Sequence, residues 1–423
     1  MEEVAAMLPD GFAGAVMAAE SVEDFRCLLN GPAGCRNRYT LLSSQLRRTC
    51  EDPERFRLPY FKGRPRVPCT YSDEEDFING GGPKVADALS VIKGACDDFV
   101  AVIDSPGSAL IGDDHARAIA EAGMTGRAVA LTQNLSSKAY SEGYDLTLRD
   151  IAGFLSPERM DAEPMTVNIL GLPMTERDWV HGLEHLKSLL GSMGVRVNAA
   201  IGAEAASDEI RRAGAAAANV IVHPEFGIRT ARYLEKELGT PAVVCGEGAP
   251  MGLDATEAWV HGIAEALGAD PSPAVDRIDD ARRRIAEAVQ RNRGFDRALE
   301  GMTFSVSCIP STAYPLTCWL QDFLGMVPAS VSVHDPCPGL ERAVGELLSA
   351  TGQYDVLDAG YPPYCGVVLS NGHEALRMEE ARRCACGIGV EFPFVKEVCL
   401  VPDHVLGTDG ALRIAGRVMN SIG

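Results

Sequence analysis

The chain has 423 residues, 46% of them hydrophobic and 23% charged, with a formal net charge of −20. That length exceeds one ordinary core, so two or three globular domains are expected, and the acidic balance excludes nucleic-acid binding. No apolar run of about eighteen residues predicts a membrane span, and MEEVAAMLPDG lacks the basic and apolar regions of a signal peptide.

In chain order, the residues up to about Gly82 read as irregular, with Pro/Gly-rich loops and one short basic run, Phe61–Arg66, that reads as a solvated loop. Val85–Lys93 has helical spacing, Phe99–Ile103 is a buried strand, His115–Ala122 a helix and Arg127–Leu131 the next strand. Tyr140–Leu155 places apolar residues three and four apart and ends before Pro157. Strands then alternate with helices: 166–172, 195–201, 219–223 and 241–245 with Glu176–Met193, Ala206–Ala213, Gly227–Leu238 and Asp254–Leu267. Such alternation means a parallel, doubly wound sheet. Ala274–Arg293 reads as a connecting helix. Strands at 303–308, 329–334, 354–359 and 366–370, with helices Ala313–Phe323 and Gly339–Thr351, form a third unit. A helix within 407–420 closes the chain.

The fold class is therefore α/β, with three Rossmann-like, doubly wound parallel-sheet domains around a central cleft. The expected limits are 1–160, 161–273, a connecting helix at 274–302, and 303–423. The 13 cysteines without an export signal point to a reducing, cytoplasmic setting, where thiols are buried or metal-bound.

Two segments concentrate the chemistry. NGPAGCRNRYT (30–40) is a Gly/Pro turn that presents Cys35 before a helical run. SPGSALIGDD (105–114) follows the strand DDFVAVID, at the run-to-turn join where open α/β sheets build sites. Alone, the first is a turn with a packed thiol and the second a helix start with Asp113 and Asp114 on its dipole. Their order and spacing resemble nitrogenase component 1 and its relatives, whose versions read roughly HGPxGC and CPxxLIGDD. SKAYSEGYDLTLRDI (137–151), NVIVHPEFGIRTARYLEKELGTP (219–241) and GIGVEFPFVKEVCLVPDHVLGTDGALRIAGRVMN (387–420) add collinear matches, so the resemblance covers nearly the whole chain.

The resemblance implies an iron–sulfur cluster at a subunit interface, a [4Fe–4S] core with about four protein ligands. It places Cys35 as the retained cysteine ligand, with Gly31 and Gly34 in its turn. Asp10, before the Gly-rich turn of PDGFAGAV, stands where a first cysteine would be, and Ser105 where a third would be. Asn30 replaces the usual histidine. A carboxylate or serinate can ligate iron, and some dark-operative tetrapyrrole reductases of this family use an aspartate. Cys69, in VPCTYSDEEDFINGGG, is the alternative thiol. Cys27 reads as core.

His223 and Glu225 are the candidate catalytic residues. His223 ends a strand where nitrogenase proper has a ligand of its large cofactor, and an imidazole there could bind metal or protonate a substrate. Glu225 is its partner or a helix cap. His334-Asp335-Pro336-Cys337 ends another strand and could line a cleft. His181-Gly-Leu-Glu-His185 matches the inverted zinc-protease motif in the wrong helical context, and Cys384-Ala-Cys386 reads as packed thiols. No GxxxxGK[ST] occurs, so the resemblance implies a separate P-loop ATPase iron–sulfur reductase that delivers electrons. The function it implies is a component 1 subunit reducing a substrate, a tetrapyrrole being the best fit to the depleted cysteine set. It would act as a homodimer, or in a heterodimer or heterotetramer with a paralogous subunit. Reductive C–S cleavage and a non-catalytic scaffold or assembly subunit are the alternatives.

Overall fold

The computed structural model describes residues 9–46, 66–394 and 399–422, apart from Thr132, Asn134, Ser136, Glu204 and Arg293, and apart from the side chains of Cys35, Leu41, Ser44 and Gln45. Its strands form three parallel sheets. The first, in the order β1-β2-β3, comprises β1 (Phe25–Asn30), β2 (Phe99–Asp104) and β3 (Ala128–Leu131). The second, β5-β4-β6-β7, comprises β4 (Glu163–Leu170), β5 (Arg196–Ile201), β6 (Ala216–Ile221) and β7 (Ala242–Val243). The third, β11-β10-β8-β9, comprises β8 (Thr303–Cys308), β9 (Val327–Val333), β10 (Cys365–Asn371) and β11 (Cys384–Glu391). Helices join successive strands, as parallel pairing requires. Among the described residues, no helix is long and apolar enough to cross a membrane.

Three expectations are corrected. The N-terminal third is not irregular: helix Gly11–Glu20, β1 and helix Ala33–Leu46 occupy it. GFAGAVMAAE is buried on every face and so carries no amphipathic period. The segment 354–359 is not a strand but a 3-10 turn, Tyr354–Val356, joined to β9 by one bridge at Val331–Leu357. Tyr354 is 73% exposed, so this segment lacks the burial that would hold it in the sheet. The fourth strand is β11 instead, where Cys384 and Cys386 read as packed thiols rather than as strand residues. Arg66, expected in solvent, donates to the buried Glu20 carboxylate at 2.8 Å; residues 61–65 lie outside the described residues.

Helix Tyr140–Leu155 joins the units. A Cβ added at Gly143 would lie 1.9 Å from the carbonyl oxygen of Gly11, and one at Gly14 would lie 2.0 Å from that of Tyr140. The two helices therefore touch backbone to backbone. From the same helix, buried Asp145 accepts from Arg229 N (2.7 Å) and Thr230 N (3.0 Å) near the start of helix Pro224–Leu238. Tyr144 Oη donates to Gly202 O (2.7 Å) and accepts from Met174 N (3.0 Å). Ser141 N donates to Asp335 beyond β9, at 2.9 Å.

Because backbone cannot rearrange as a side chain can, Gly143→Ala should cost roughly 3 kcal/mol or more of unfolding free energy. A denaturation midpoint equal to wild type would show that the helices do not meet there. A second expectation comes from His115, buried on the first sheet with Nε2 2.8 Å from Asp104 at the end of β2. Burial pulls this imidazole down, but the hydrogen bond and charge of Asp104, with Asp113 and Asp114, outweigh it and raise its pKa. A raised folded-state value means that the pair contributes fully below the ordinary range near ~6.5 and is lost as pH rises through the raised value. The urea midpoint of wild type should therefore decline over that interval, and Asp104→Asn should flatten the decline. An equal decline in the variant would remove His115 as its source.

Candidate functional site

The carboxyl edge of the first sheet gathers three of the residues singled out in the sequence. Chain reversal after β1 places Gly31 against the start of the loop after β2, where a Cβ on Gly31 would lie 2.7 Å from Ser105 Oγ. Ser105 N donates to Asn30 O (2.8 Å), and its hydroxyl is 2.9 Å from that of Ser108. Cys69 is bridged to Leu29, and its thiol donates to Gly31 O at 2.9 Å. Thr70 completes the turn by accepting from Gly31 N (3.0 Å) and donating to Asn30 Oδ1 (2.9 Å).

The Asn30 replacement has a structural role. Its Nδ2 donates to Asp104 (2.8 Å) and Asp113 (3.3 Å), holding two carboxylates under the turn. Asp113 also accepts from Gly81 N at 2.9 Å, whereas Asp114 caps helix His115–Glu121 by accepting from Arg117 N at 3.0 Å. Of the IGDD pair, only Asp114 caps that helix.

Cys35 lies in the first turn of helix Ala33–Leu46, and its side chain is outside the described residues. Gly34 is exposed, and a Cβ there would meet none of the described residues within 4 Å, so none of them requires glycine at this turn. Asp10 comes from another element. It is bridged to Ala139 and caps helix Gly11–Glu20, one carboxylate oxygen accepting from Ala13 N at 3.0 Å. Gly31, Cys69 and Ser105 thus share one edge, while Asp10 is held by the helix beside it. In this structure the thiol and the hydroxyl at this edge are engaged with Gly31 O and Ser108 rather than with each other.

The second set lies where the carboxyl ends of the second and third sheets face each other. From β4 and from β8 the following strands are laid down on opposite sides, β5 against β6 and β9 against β10, so both sheets present a switch-point crevice there. A crevice with about 460 Å³ of empty space, part of it open to solvent, lies between them, lined among others by Tyr140, Glu176, Phe226, His334, Asp335 and Glu391. His223, fully buried, has Nδ1 2.8 Å from Ser311 Oγ and Nε2 3.4 Å from Glu176. Glu225 is not the helix cap: it lies in the first turn and accepts from Ser311 N at 2.9 Å. Across the cavity, Glu391 accepts from Ile309 N (2.7 Å) and pairs with His334 Nε2 (3.2 Å).

His223 does not itself line the cavity. Glu176, which both contacts His223 and lines the cavity, is the group that faces it. Glu176 and Ser311 belong to no motif recognised in the sequence, and Glu391 lies in the 387–420 match without having been singled out; each follows or ends a strand, the one signal that could have marked them. Burial lowers the His223 pKa, but Glu176, Glu225 and Glu391 outweigh it and raise the value. His334 is raised in the same way by Glu391, Asp335 and Glu225 against its burial. Burial raises the Glu225 carboxyl, and His223 only partly offsets it. All three shifts favour the protonated form of the group. Oε1 of Glu176 and Oε2 of Glu225 are buried without a hydrogen-bond partner among the described residues.

Comparison with known proteins agrees with this architecture. The sequence matches the family model described as nitrogenase component 1 type oxidoreductase over residues 11–421. It is 36% identical over 140 residues to a light-independent protochlorophyllide reductase subunit of Jannaschia sp., covering 32% of this chain and 26% of that protein. The corresponding subunit of Nostoc sp. is 32% identical over 142 residues, covering 33% of this chain and 27% of that protein. The matched region thus spans about a quarter of the length of these relatives. Among solved structures, one of nitrogenase Cp1 at pH 6.5 superposes with a TM-score of 0.76 at 16% identity, covering 100% of this chain and 94% of that one, a likeness of fold. With the family match running across almost the whole sequence, this chain belongs to the nitrogenase component 1 type oxidoreductase family.

Proposed function

We propose that this chain is a catalytic component 1 subunit that reduces a tetrapyrrole-like substrate in the cleft between the second and third sheets. Electrons would come from a separate P-loop ATPase iron–sulfur reductase. The observation that carries the reading is the pair of imidazole–carboxylate couples, His223–Glu176 and His334–Glu391, at the cavity between the two sheets. Reduction of one C=C bond takes two electrons and two protons, and each couple holds one transferable proton. The relatives named for protochlorophyllide reduction support a ring-sized conjugated substrate.

The division of labour follows from the two sites. An iron–sulfur cluster, when bound by Cys35 with Asp10, Ser105 and Cys69 as the further candidates, supplies single electrons. The residues of this chain supply protons and orientation. Glu176 presents to the cavity what His223 stores, with Ser311 holding the imidazole by Nδ1 and Glu225 by Ser311 N. His334, on the cavity wall, is held by Glu391, whose other oxygen is fixed by Ile309 N. Tyr140, Phe226 and Phe392 give the wall flat apolar surfaces, the Tyr140 and Phe392 rings stacked at 5.9 Å.

A partner subunit is supported by what surrounds the first-sheet edge. Ile78 is 81% exposed and Leu110 80%, with Tyr71 and Phe77 also exposed on the segments that flank Cys69 and Ser105. Apolar side chains clustered beside a donor set fit a surface covered by a second component 1 chain, homologous or identical.

Anaerobically purified chain, with its partner chains, should contain iron and acid-labile sulfide and should be brown. Cys35→Ala should abolish iron retention, Asp10→Cys should keep the cluster and raise its potential, and Ser105→Ala should matter least. Wild-type iron in Cys35→Ala would remove that site and leave Cys69 to be tested. Absence of iron in every assembly would favour a scaffold subunit. For the cleft, Glu176→Gln should slow substrate reduction about 10²-fold with iron content unchanged, and His334→Gln likewise. Wild-type turnover and pH profile in both variants would place proton delivery elsewhere.

A further inference from the structure

We propose that His185, His404 and Asp409 form a divalent-metal site, of the kind zinc occupies, that pins the C-terminal segment to the second domain. It is separate from both the first-sheet edge and the cleft. His185 projects from helix Trp179–Ser192, His404 from the loop after β11, and Asp409 from the first turn of the final helix, Gly407–Asn420. One ligand atom from each lies within 4.8 Å of the others.

Several observations point to a ligand rather than to ordinary packing. His185 Nδ1 is 3.2 Å from Asp409 Oδ2. Tetrahedral coordination with bonds of about 2.0–2.2 Å separates neighbouring ligand atoms by about 3.3 Å, so this pair is already at the required spacing. The two imidazole rings lie 5.1 Å apart, tilted by 36°. Nδ1 of His404, in a residue only 3% exposed, is buried with no hydrogen-bond partner among the described residues. A buried polar atom left without a partner is costly unless something else occupies its lone pair.

The surroundings complete the argument. With Nδ1 of His185 turned toward Asp409 and a shared ion, its Nε2–H has an acceptor in Thr408 Oγ1 at 3.3 Å, the outer hydrogen bond that orients metal-bound histidines. Gly407, at φ +63°, turns the chain so that His404 and Asp409 reach the same point. A Cβ at Gly407 would lie 2.4 Å from His185 Nε2, so the close approach of this turn to His185 requires glycine. The Asp409 side chain is 60% exposed, which leaves room for water as a fourth ligand. Two imidazoles, one carboxylate and water are a donor set suited to zinc. His181, the other histidine of the His-x-x-Glu-His motif, is engaged instead with Asp178 at 2.8 Å, so the site uses only one end of that motif.

The test uses the purified full chain, stripped with a chelator and then given zinc chloride. Wild type should retain one more equivalent of zinc through gel filtration than Asp409→Asn or His404→Gln. Zinc should also raise the melting temperature of wild type but not of the variants. Asp409→Asn keeps the experiment interpretable if His404→Gln does not fold, because Asp409 is mostly in solvent. X-ray absorption of the extra equivalent should show nitrogen and oxygen neighbours, and the variants should bind at least tenfold more weakly. Equal retention by wild type and Asp409→Asn, no retention at all, or a sulfur-ligated ion would each overturn the site.

Discussion

Everything in this molecule is referred to helix Tyr140–Leu155. Gly143 brings it into backbone contact with helix Gly11–Glu20, so the first unit can sit in only one place along it. Two residues on, Asp145 is buried and receives Arg229 N and Thr230 N from the second unit. A buried carboxylate is costly unless donors take up its oxygens, so this contact favours one distance and one rotation. The first turn of the same helix gives Ser141 N to Asp335 of the third unit. Three sheets that share no strand are thereby held in one arrangement.

That arrangement makes the cleft possible and sets its electrostatics. Glu225, at the end of the second sheet, does not find its donor locally. It accepts from Ser311 N, and His223 Nδ1 shares a hydrogen bond with the Ser311 hydroxyl, both beyond β8. Each imidazole–carboxylate couple lies within one unit, and Ser311 ties the His223 side of the crevice to the third unit, so the surroundings of these groups depend on how the two sheets face each other. A change in that relation would alter proton affinity as well as shape.

The first-sheet edge and the cleft draw on different physics. At the first-sheet edge, small residues and backbone carbonyls dominate: Gly31, Ser105 and Cys69 approach closely because no side chain intervenes. In the cleft, long acidic side chains reach inward from strand ends. The C-terminal segment is tied to the second unit by a third device. Arg177 and Arg413 both bind Asp403, whose amide donates to Asp178 at 2.7 Å. The His185, His404 and Asp409 cluster lies on this same strap.

The sequence alone determined what local periodicity and turn chemistry encode. The alternation from Met165 onward predicts parallel sheets, because a strand of period two and a crossover helix of period 3.6 leave different apolar patterns. The GPAGC and IGDD segments marked one edge, because the need for small residues at a tight turn is itself a local property. Hidden were the elements buried on nearly every side, such as Gly11–Glu20 and the strand β11, whose residues carry too little outward face to give a period. Tertiary structure alone decided which groups meet. Glu176, His223, Ser311 and Glu391 lie on four separate segments of the chain, and only the packing of two sheets around one helix brings Glu176 and Glu391 to the same crevice, with His223 and Ser311 behind Glu176. Whether a buried carboxylate becomes a proton store or a capped structural group depends on the donors it meets there, and those come from another part of the chain.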